Sequence, residues 1–504
     1  MIAPARTERL DRLARPEPHP ALSRLQDRRL LRTLSYIDGK WTGAPDGRTF
    51  PVTDPADGTA IAEVAALGAA AAARAVDAAH RAFAPWKSLL PQQRADILRR
   101  WHALMLSATE DLALLMTIEQ GKPLAESRGE IAYAASFIAY YAEEALRVNV
   151  EGVTSHLPGA QMSLTREPVG VAALLTPWNF PSAMLTRKAA AALAAGCTIV
   201  SHPSSHTPLS ALALAELAER AGMPAGVFNV VTGAPAPIAE TFCADLRVRA
   251  VSFTGSTDIG RMVARNAASS LKRVVMELGG HAPLIVFEDA DLARAVEIAL
   301  DAKFATSGQD CLAANRIYVQ RPLYARFCTA FAERAAQLRV GKGLDEGTEI
   351  GPLMHAGAVA KARAQIDDAL GRGARRLTPE RSVPGPLFLA PLVLADVPEE
   401  ALIMREETFA PIAALAPFDS EEEVIARANA SEYGLVAYVV TRDGARAARM
   451  AQALDYGMVA INRVKITGAP IPFGGMKQSG LGREGSRHGL EAFTDLKYVC
   501  LDLS

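Results

Sequence analysis

Cysteine is scarce in this 504-residue chain. The five present, Cys197, Cys243, Cys311, Cys328 and Cys500, are scattered, and no two stand at CxxC spacing. Such a set supports neither a disulfide framework nor a zinc ribbon, and it fits a reducing cytosol. Charge of one sign is missing as well. The 54 Lys and Arg are balanced by 55 Asp and Glu, leaving −1 overall and no global field to recruit nucleic acid or an acidic membrane. The longest weakly polar run, Ala189 to Val200, has 12 residues, short of the ~18 that a spanning helix needs. No Gly/Ser- or Pro-rich linker divides the chain, and no internal repeat is found. The first twenty residues lack the apolar core of a secretory signal, and Glu8, Asp11 and Glu17 argue against a transit peptide. Residues 1–21 are expected to form a flexible N-terminal extension.

What is present is globular. Half the residues are hydrophobic and 22% are charged, and at roughly 100–200 residues per domain the length suggests about three domains with large cores. From Tyr36 to Gly159, a short β-like start (SYIDGKW, FPVTDP) leads into long stretches with apolar residues at three- and four-residue steps, the pattern of amphipathic helices. From Gly170 to about Glu277, short apolar runs (VAALLT, CTIVSH, VFNVV, AVSFTG, VVMEL) alternate with helical segments. Strands separated by one helix each pair in parallel, giving a doubly wound α/β unit that takes dinucleotides at the carboxyl ends of its strands. A second alternating region runs from Ala282 to about Asn462, and the chain closes with a glycine-rich segment and an apolar tail that needs an edge to pair with.

Four segments carry chemistry. In SGQDC, Cys311 lies in a polar turn after Gly308, unlike the other four cysteines, which sit in apolar runs. It is either a small apolar filler or a thiol placed to meet substrate. In MELGGHAP, Glu277 ends an apolar strand beside two glycines, as a solvated strand end or as a base near a cleft. In LLTPWNFP, the Asn179 amide either bonds its own turn or donates to a developing oxyanion. In SFTGSTDIG, Gly255 and Ser256 precede a helix, which is either a plain cap or a helix N-terminus open to a pyrophosphate. The segment is not GxGxxG.

Six motifs stand in the order and at the separations of one superfamily: TPWNFP (176–181), FTGST (253–257), MELGG (276–280), GQDC (308–311), EETFAP (406–411) and PFGGMKQSGLGREG (472–485). From about residue 22 onward the chain resembles the NAD(P)-dependent aldehyde dehydrogenases. It is most similar to the succinate-semialdehyde dehydrogenases, through TPWNFPSAMLTRK, LSALALAELAERAGMPAGVFNVVTG and KQSGLGREGS. The resemblance implies an α/β fold with a Rossmann-type cofactor domain (22–142 and 167–276), an α/β catalytic domain (277–479) and a small β oligomerisation arm (143–166 and 480–504). It implies a homodimer or homotetramer, NAD(P)+ as cofactor and no metal. Cys311 would be the nucleophile, Glu277 the base, and Asn179 with the Cys311 amide the oxyanion hole, with Lys188 near the active site. Thr176, Trp178, His202, Ser205, Gly233, Gly255, Ser256, Leu278, Glu407 and Phe409 would hold the cofactor. The product would be an acid, formed through a thiohemiacetal and a thioester with water as the final acceptor.

Departures from the pattern fall at both ends of the site. In SHPSSHTP, His202 stands where relatives carry a lysine toward the adenosine ribose, and Ser205 stands where many NAD-preferring members carry Glu. The first change removes a permanent charge and the second removes repulsion of an extra phosphate, so the choice between NAD and NADP stays open. His202 and His206 are four apart, but Pro203 and the lack of an acidic third ligand argue against zinc. Of the two arginines expected to pin a distal carboxylate, Arg187 is present, while the other position holds Ala305. Thr467, Lys465 and Arg463 offer a hydroxyl and two cations in the loop before PFGG. The expected substrate is a short anionic semialdehyde such as succinate semialdehyde, with neutral aldehydes as the alternative if the loop cations are solvated. Ala313 excludes a disulfide switch with a neighbouring cysteine. A non-catalytic homologue and a thioester-transferring enzyme are the rival classes.

Overall fold

The computed structural model describes residues 18–149 and 152–502. Residues 1–17 of the expected extension lie outside the described residues, but its last part does not hang free. His19 is buried with its ring 3.3 Å from Asp54, and Ala21 and Leu25 enter the core.

Two hairpins open the chain: β1 (Ser35–Ile37) with β2 (Lys40–Thr42), and β3 (Thr49–Thr53) with β4 (Ala60–Ala65). The periodic stretches then form α1 (Ala69–Ser88), α2 (Pro91–Ser107), α3 (Thr109–Gln120) and α4 (Leu124–Glu144). After β5 (Ala160–Pro168) the expected alternation follows: β6 (Val171–Thr176), α5 (Pro181–Ala195), β7 (Thr198–Pro203), α6 (Pro208–Arg220), β8 (Phe228–Val230), α7 (Pro235–Ala244), β9 (Val248–Thr254), α8 (Thr257–Ala268) and β10 (Arg273–Glu277). Proline in the first turn starts α5 and α6, where its missing N–H costs nothing, and Gly196 at φ 99° ends α5 in a conformation that L side chains avoid.

The second region contributes β11 (Ala282–Val286), α9 (Leu292–Phe304), β12 (Ala314–Gln320), α10 (Arg321–Gln337), α11 (Ala356–Gly371), β13 (Arg375–Arg376), β14 (Leu392–Ala395), α12 (Leu402–Arg405) and β15 (Ile412–Phe418). It continues through α13 (Glu421–Asn429), β16 (Tyr433–Gly434), β17 (Val436–Val440), α14 (Gly444–Ala453) and β18 (Met458–Ile461). The chain closes with β19 (Met476–Lys477) against β16, β20 (Gly480–Leu481) against β10, and β21 (Thr494–Asp502) antiparallel to β5 along its whole length. The apolar tail therefore finds its edge within its own chain, as a two-stranded ribbon.

The first sheet has the order β2-β1-β8-β7-β6-β9-β10-β20 and is parallel from β8 to β10. The chain steps outward from β6 to β8, then crosses back to β9 on the other flank of β6. The crevice outside the carboxyl ends of β6 and β9 is thus a topological switch point, where doubly wound sheets bind ligands. The second sheet, β13-β14-β15-β12-β11-β17-β18, is parallel except for β13. Loops preceding β11, β12 and β15 bring its amino ends to the same crevice. Helices cover the first sheet through fully buried side chains such as Leu98, Leu112 and Leu115, each worth ~1.5–3 kcal/mol of burial. Trp101 ties α2 to α6 and β8 by donating to the Leu214 carbonyl at 3.1 Å and packing 5.6 Å from Phe228.

Candidate active site

Where the two sheets meet, a cavity of about 470 Å³ opens. Its wall includes Asn179 from the turn after β6, Gly255 and Ser256 from the turn after β9, Glu277 from the end of β10, and Cys311 from the loop before β12. These residues are separated by up to 132 positions and are brought together only by the sheet order.

Cys311 sits at the tip of a loop under backbone strain. Thr306 and Ser307 both adopt left-handed conformations (φ 51° and 57°), followed by Gly308 at φ 71°. Each non-glycine residue there costs about 1–2 kcal/mol, so the loop persists only because it is pinned. The Ser307 hydroxyl exchanges hydrogen bonds with the Gly351 backbone (2.9 and 3.1 Å), and the Gln309 amide bonds Met354 N and Pro352 O (2.9 and 3.2 Å). Gly280 is required here because a Cβ would collide with the Cys311 carbonyl oxygen. Burial first, then the carboxylates of Asp310, Glu407 and Glu277, push the thiol well above its ordinary range, with Arg187 pulling the other way. The resting sulfur is protonated at neutral pH.

Glu277 is 2% exposed, and neither carboxyl oxygen has a hydrogen-bond partner among the described residues. A buried, unpartnered carboxyl costs stability, and a role in a reaction is one reason for a fold to keep it. Burial, and then the charge of Glu484, raise it well above the usual carboxylate range, against Arg187, Lys188 and Arg483. The Asn179 amide nitrogen donates to the Gln309 carbonyl at 3.1 Å, which links it to the Cys311 loop and leaves its second N–H for the cavity.

The expected cofactor residues divide into two groups. Trp178, Gly255, Ser256, Leu278, Glu407 and Phe409 line the cavity. Thr176, His202, Ser205 and Gly233 do not; they follow or end β6, β7 and β8 at the same edge of the sheet. The His202 ring is buried with Nδ1 2.8 Å from the Val231 carbonyl, and its Nε2 has no partner among the described residues. Burial lowers its pKa, so it supplies a neutral imidazole and not the charge of a lysine. The fit to a dinucleotide is good on the structure's own terms. The N-terminus of α8 opens onto the cavity at Ser256, and a Cβ at Gly255 would run into the Phe253 ring. Half-buried Glu407 accepts from Gly280 N at 2.9 Å, and desolvation of its carboxylate pushes it up to about 7.

At the substrate end, Arg187, Lys465 and Thr467 all line the wall, but Arg187 is not a free cation. It lies 1% exposed over the Phe473 ring (4.1 Å), with Nε 2.7 Å from Glu484. Lys188, expected near the reaction, lies behind the wall and bonds Glu484 and the Thr254 hydroxyl (2.7 Å). Arg463 is exposed and folds back onto the carbonyls of Val464 and Lys465, away from the cavity. Cys500, though within an apolar run, is exposed on β21. Residues outside the recognised motifs also line the wall, among them Tyr133 from α4, Asp301 and Tyr438. Glu484, the acid that neutralises Arg187 and Lys188, lies inside the GREG segment, yet nothing in that segment discloses its partners 296 and 297 residues away. No group of three or more metal-ligating side chains occurs among the described residues.

Two largely parallel sheets meeting over one cavity, with a strained cysteine loop and an unpartnered carboxyl both on its wall, define an α/β protein equipped for covalent chemistry beside a dinucleotide crevice. The chain belongs to the aldehyde dehydrogenase family, whose profile matches residues 41–499. It is 51% identical over 480 residues to an aspartate-semialdehyde dehydrogenase (non-phosphorylating) of Halomonas elongata, covering 95% of this chain and 97% of that one. It is 49% identical over 481 residues to the succinate-semialdehyde dehydrogenase [NADP(+)] of Escherichia coli K12, covering 95% and 100%. A crystal structure of succinate-semialdehyde dehydrogenase from Burkholderia pseudomallei superposes with a TM-score of 0.94 at 47% identity, covering 95% and 100% of the two chains.

Proposed function

We propose that this protein oxidises a short anionic semialdehyde to the carboxylic acid with NAD(P)+, using Cys311 as nucleophile and Glu277 as base. The observation that carries this is the pairing of one strained cysteine loop with one buried, unpartnered carboxyl on the wall of a single cavity. Attack of the sulfur on the aldehyde carbon makes a thiohemiacetal, and Asn179 with the Cys311 amide donates to its oxygen. Trp178, Gly255, Ser256, Glu407 and Phe409 would hold the dinucleotide, which when bound supplies the acceptor for the hydride that the thiohemiacetal carbon loses in becoming the thioester. Glu277 then takes a proton from the water that hydrolyses the thioester. Turnover is accordingly expected without coenzyme A or phosphate.

Only the ionised form of Glu277 can take that proton, and its pKa lies well above the carboxylate range because of burial and then Glu484. Activity should therefore rise with pH through a midpoint displaced upward from the usual ~4.3 of glutamate. Steady-state kcat from about pH 5 to 9 checks this, and Glu277→Gln should remove the limb. A profile already flat at the acid end would reject Glu277 as the base.

The names of the Halomonas and Escherichia relatives, which specify aspartate and succinate semialdehydes, support a substrate that carries a carboxylate. With Arg187 committed to Glu484, Lys465 and Thr467 are the better candidates to meet a distal carboxylate. Lys465→Met should raise KM for succinate semialdehyde about tenfold while leaving an uncharged aldehyde within roughly twofold. Equal effects on both would favour the neutral-aldehyde alternative. Arg187→Leu is a poor probe, because it also strands Glu484.

The β5–β21 ribbon, with Leu496, Tyr498, Val499 and Leu501 exposed, supports a homo-oligomer in which ribbons from two subunits meet. No described helix is long and apolar enough to cross a membrane.

A further inference from the structure

Lys122, Glu126 and Glu130 recur at four-residue steps, from two residues before α4 into its second turn. Their side chains reach the two halves of the reaction centre separately. Both oxygens of Glu126 accept the backbone N–H of Thr306 (3.0 and 3.1 Å), the first left-handed residue of the Cys311 loop. The Lys122 ammonium donates to the Asn179 carbonyl and to Glu130, each at 2.6 Å. The other Glu130 oxygen accepts Ser182 N and Ala183 N (3.0 and 3.1 Å), the open amides at the start of α5. The side chains of Lys122 and Glu130 are each 1% exposed. A buried lysine–glutamate pair is a weak source of stability, because desolvation offsets the attraction. What this pair does is hold a particular carbonyl and a particular helix end.

We propose that this strip is a positioning device: Glu126 sets the Cys311 loop, and the Lys122–Glu130 pair sets Asn179, so that sulfur and oxyanion donor meet the same carbonyl group. The Thr306 N–H donates to Glu126, and a loop with two consecutive left-handed non-glycine residues relaxes unless it is tied. Asn179 follows Pro177 and Trp178 in a turn. Its carbonyl is fixed by Lys122 and its amide by Gln309, so its donor direction depends on both ends being held. Chemistry that needs two groups aligned within about an ångström is sensitive to either half.

The inference rests on Cys311 as nucleophile and Asn179 as oxyanion donor, and the test separates the two levels. The rate at which iodoacetamide alkylates Cys311 is measured in wild type, Glu126→Ala, Glu126→Gln and the double variant K122M/E130Q, together with kcat, KM for NAD(P)+ and melting temperature. The double variant removes both buried charges together, so neither is left unpaired. Glu126→Ala is expected to change the alkylation rate and to lower kcat by about 10–100-fold at unchanged KM for NAD(P)+. Glu126→Gln should restore both, since the amide oxygen still accepts the Thr306 N–H. K122M/E130Q should lower kcat to a similar degree with a smaller change in Cys311 alkylation than Glu126→Ala gives, because that variant acts on Asn179 directly and reaches the Cys311 loop only at second hand, through the Asn179–Gln309 bond and the lost Lys122 charge. Wild-type alkylation and kcat in Glu126→Ala, failure of Glu126→Gln to rescue, or a loss of kcat in either variant that only tracks its melting temperature would overturn the proposal. Complete alkylation of wild-type Cys311 without loss of turnover would instead overturn the assigned nucleophile.

Discussion

Cys311→Ala is expected to abolish aldehyde-dependent NAD(P)H formation, with kcat falling at least ~10⁴-fold, the scale seen when a covalent nucleophile is removed. The fold should survive. The Cys311 side chain stands at the tip of a loop whose shape is set by Ser307, Gln309 and Glu126, none of which bonds the sulfur. The melting temperature should therefore stay near the wild-type value, and binding of NAD(P)+, followed by quenching of Trp178 fluorescence, should persist because Gly255, Ser256 and Glu407 are untouched. Of the other cysteines, three are buried and Cys500 is exposed on the ribbon, so none of them lines the cavity to take over the reaction. Residual turnover within about tenfold of wild type would mean that the sulfur is not the reacting atom.

The second large effect is expected from Glu484→Gln. Glu484 is 5% exposed and serves three partners at once: Arg187, Lys188 and the Ser252 hydroxyl. Burial alone would raise its pKa, but the Lys188 and Arg187 cations outweigh that and hold it below the ordinary value. Replacing it with a neutral amide leaves two buried cations without a counter-charge, a change that costs about 3–5 kcal/mol in comparable buried pairs. A fall of several degrees in melting temperature should follow. The same change acts on the reaction. Glu484 is the largest charged influence raising Glu277, after burial, so its removal, with Arg187 still positive, lowers the Glu277 pKa. The acid limb of the kcat profile should move toward lower pH. A variant that melts like wild type and keeps the wild-type limb would show that Glu484 neither stabilises the cluster nor tunes the base.

How much of this was legible in the chain differs from residue to residue. The alternation of apolar runs and helices from Gly170 onward predicts a parallel sheet, and β6 to β10 form one, because a strand-helix-strand unit has few ways to pack. Cys311, Glu277 and Asn179 stand out through short local segments, although each segment alone admits a bland interpretation. Arg187 is different. Its motif suggests a substrate cation, yet its charge is taken by an acid 297 residues away. His202 marks a lost lysine, but only its buried ring and the bond to Val231 show that the replacement is neutral. Glu126 and Glu130 look like ordinary charges on an amphipathic helix until their acceptor partners, at Thr306 and at Ser182 and Ala183, are seen.

By itself, the order of residues determined the family, the strand-and-helix alternation and the short list of reactive side chains, because these depend on local pattern and on motifs contiguous in the chain. Which charges are free to meet a ligand was decided only in three dimensions. Pairing energy depends on distance and burial, and folding sets both between residues that the chain keeps hundreds of positions apart.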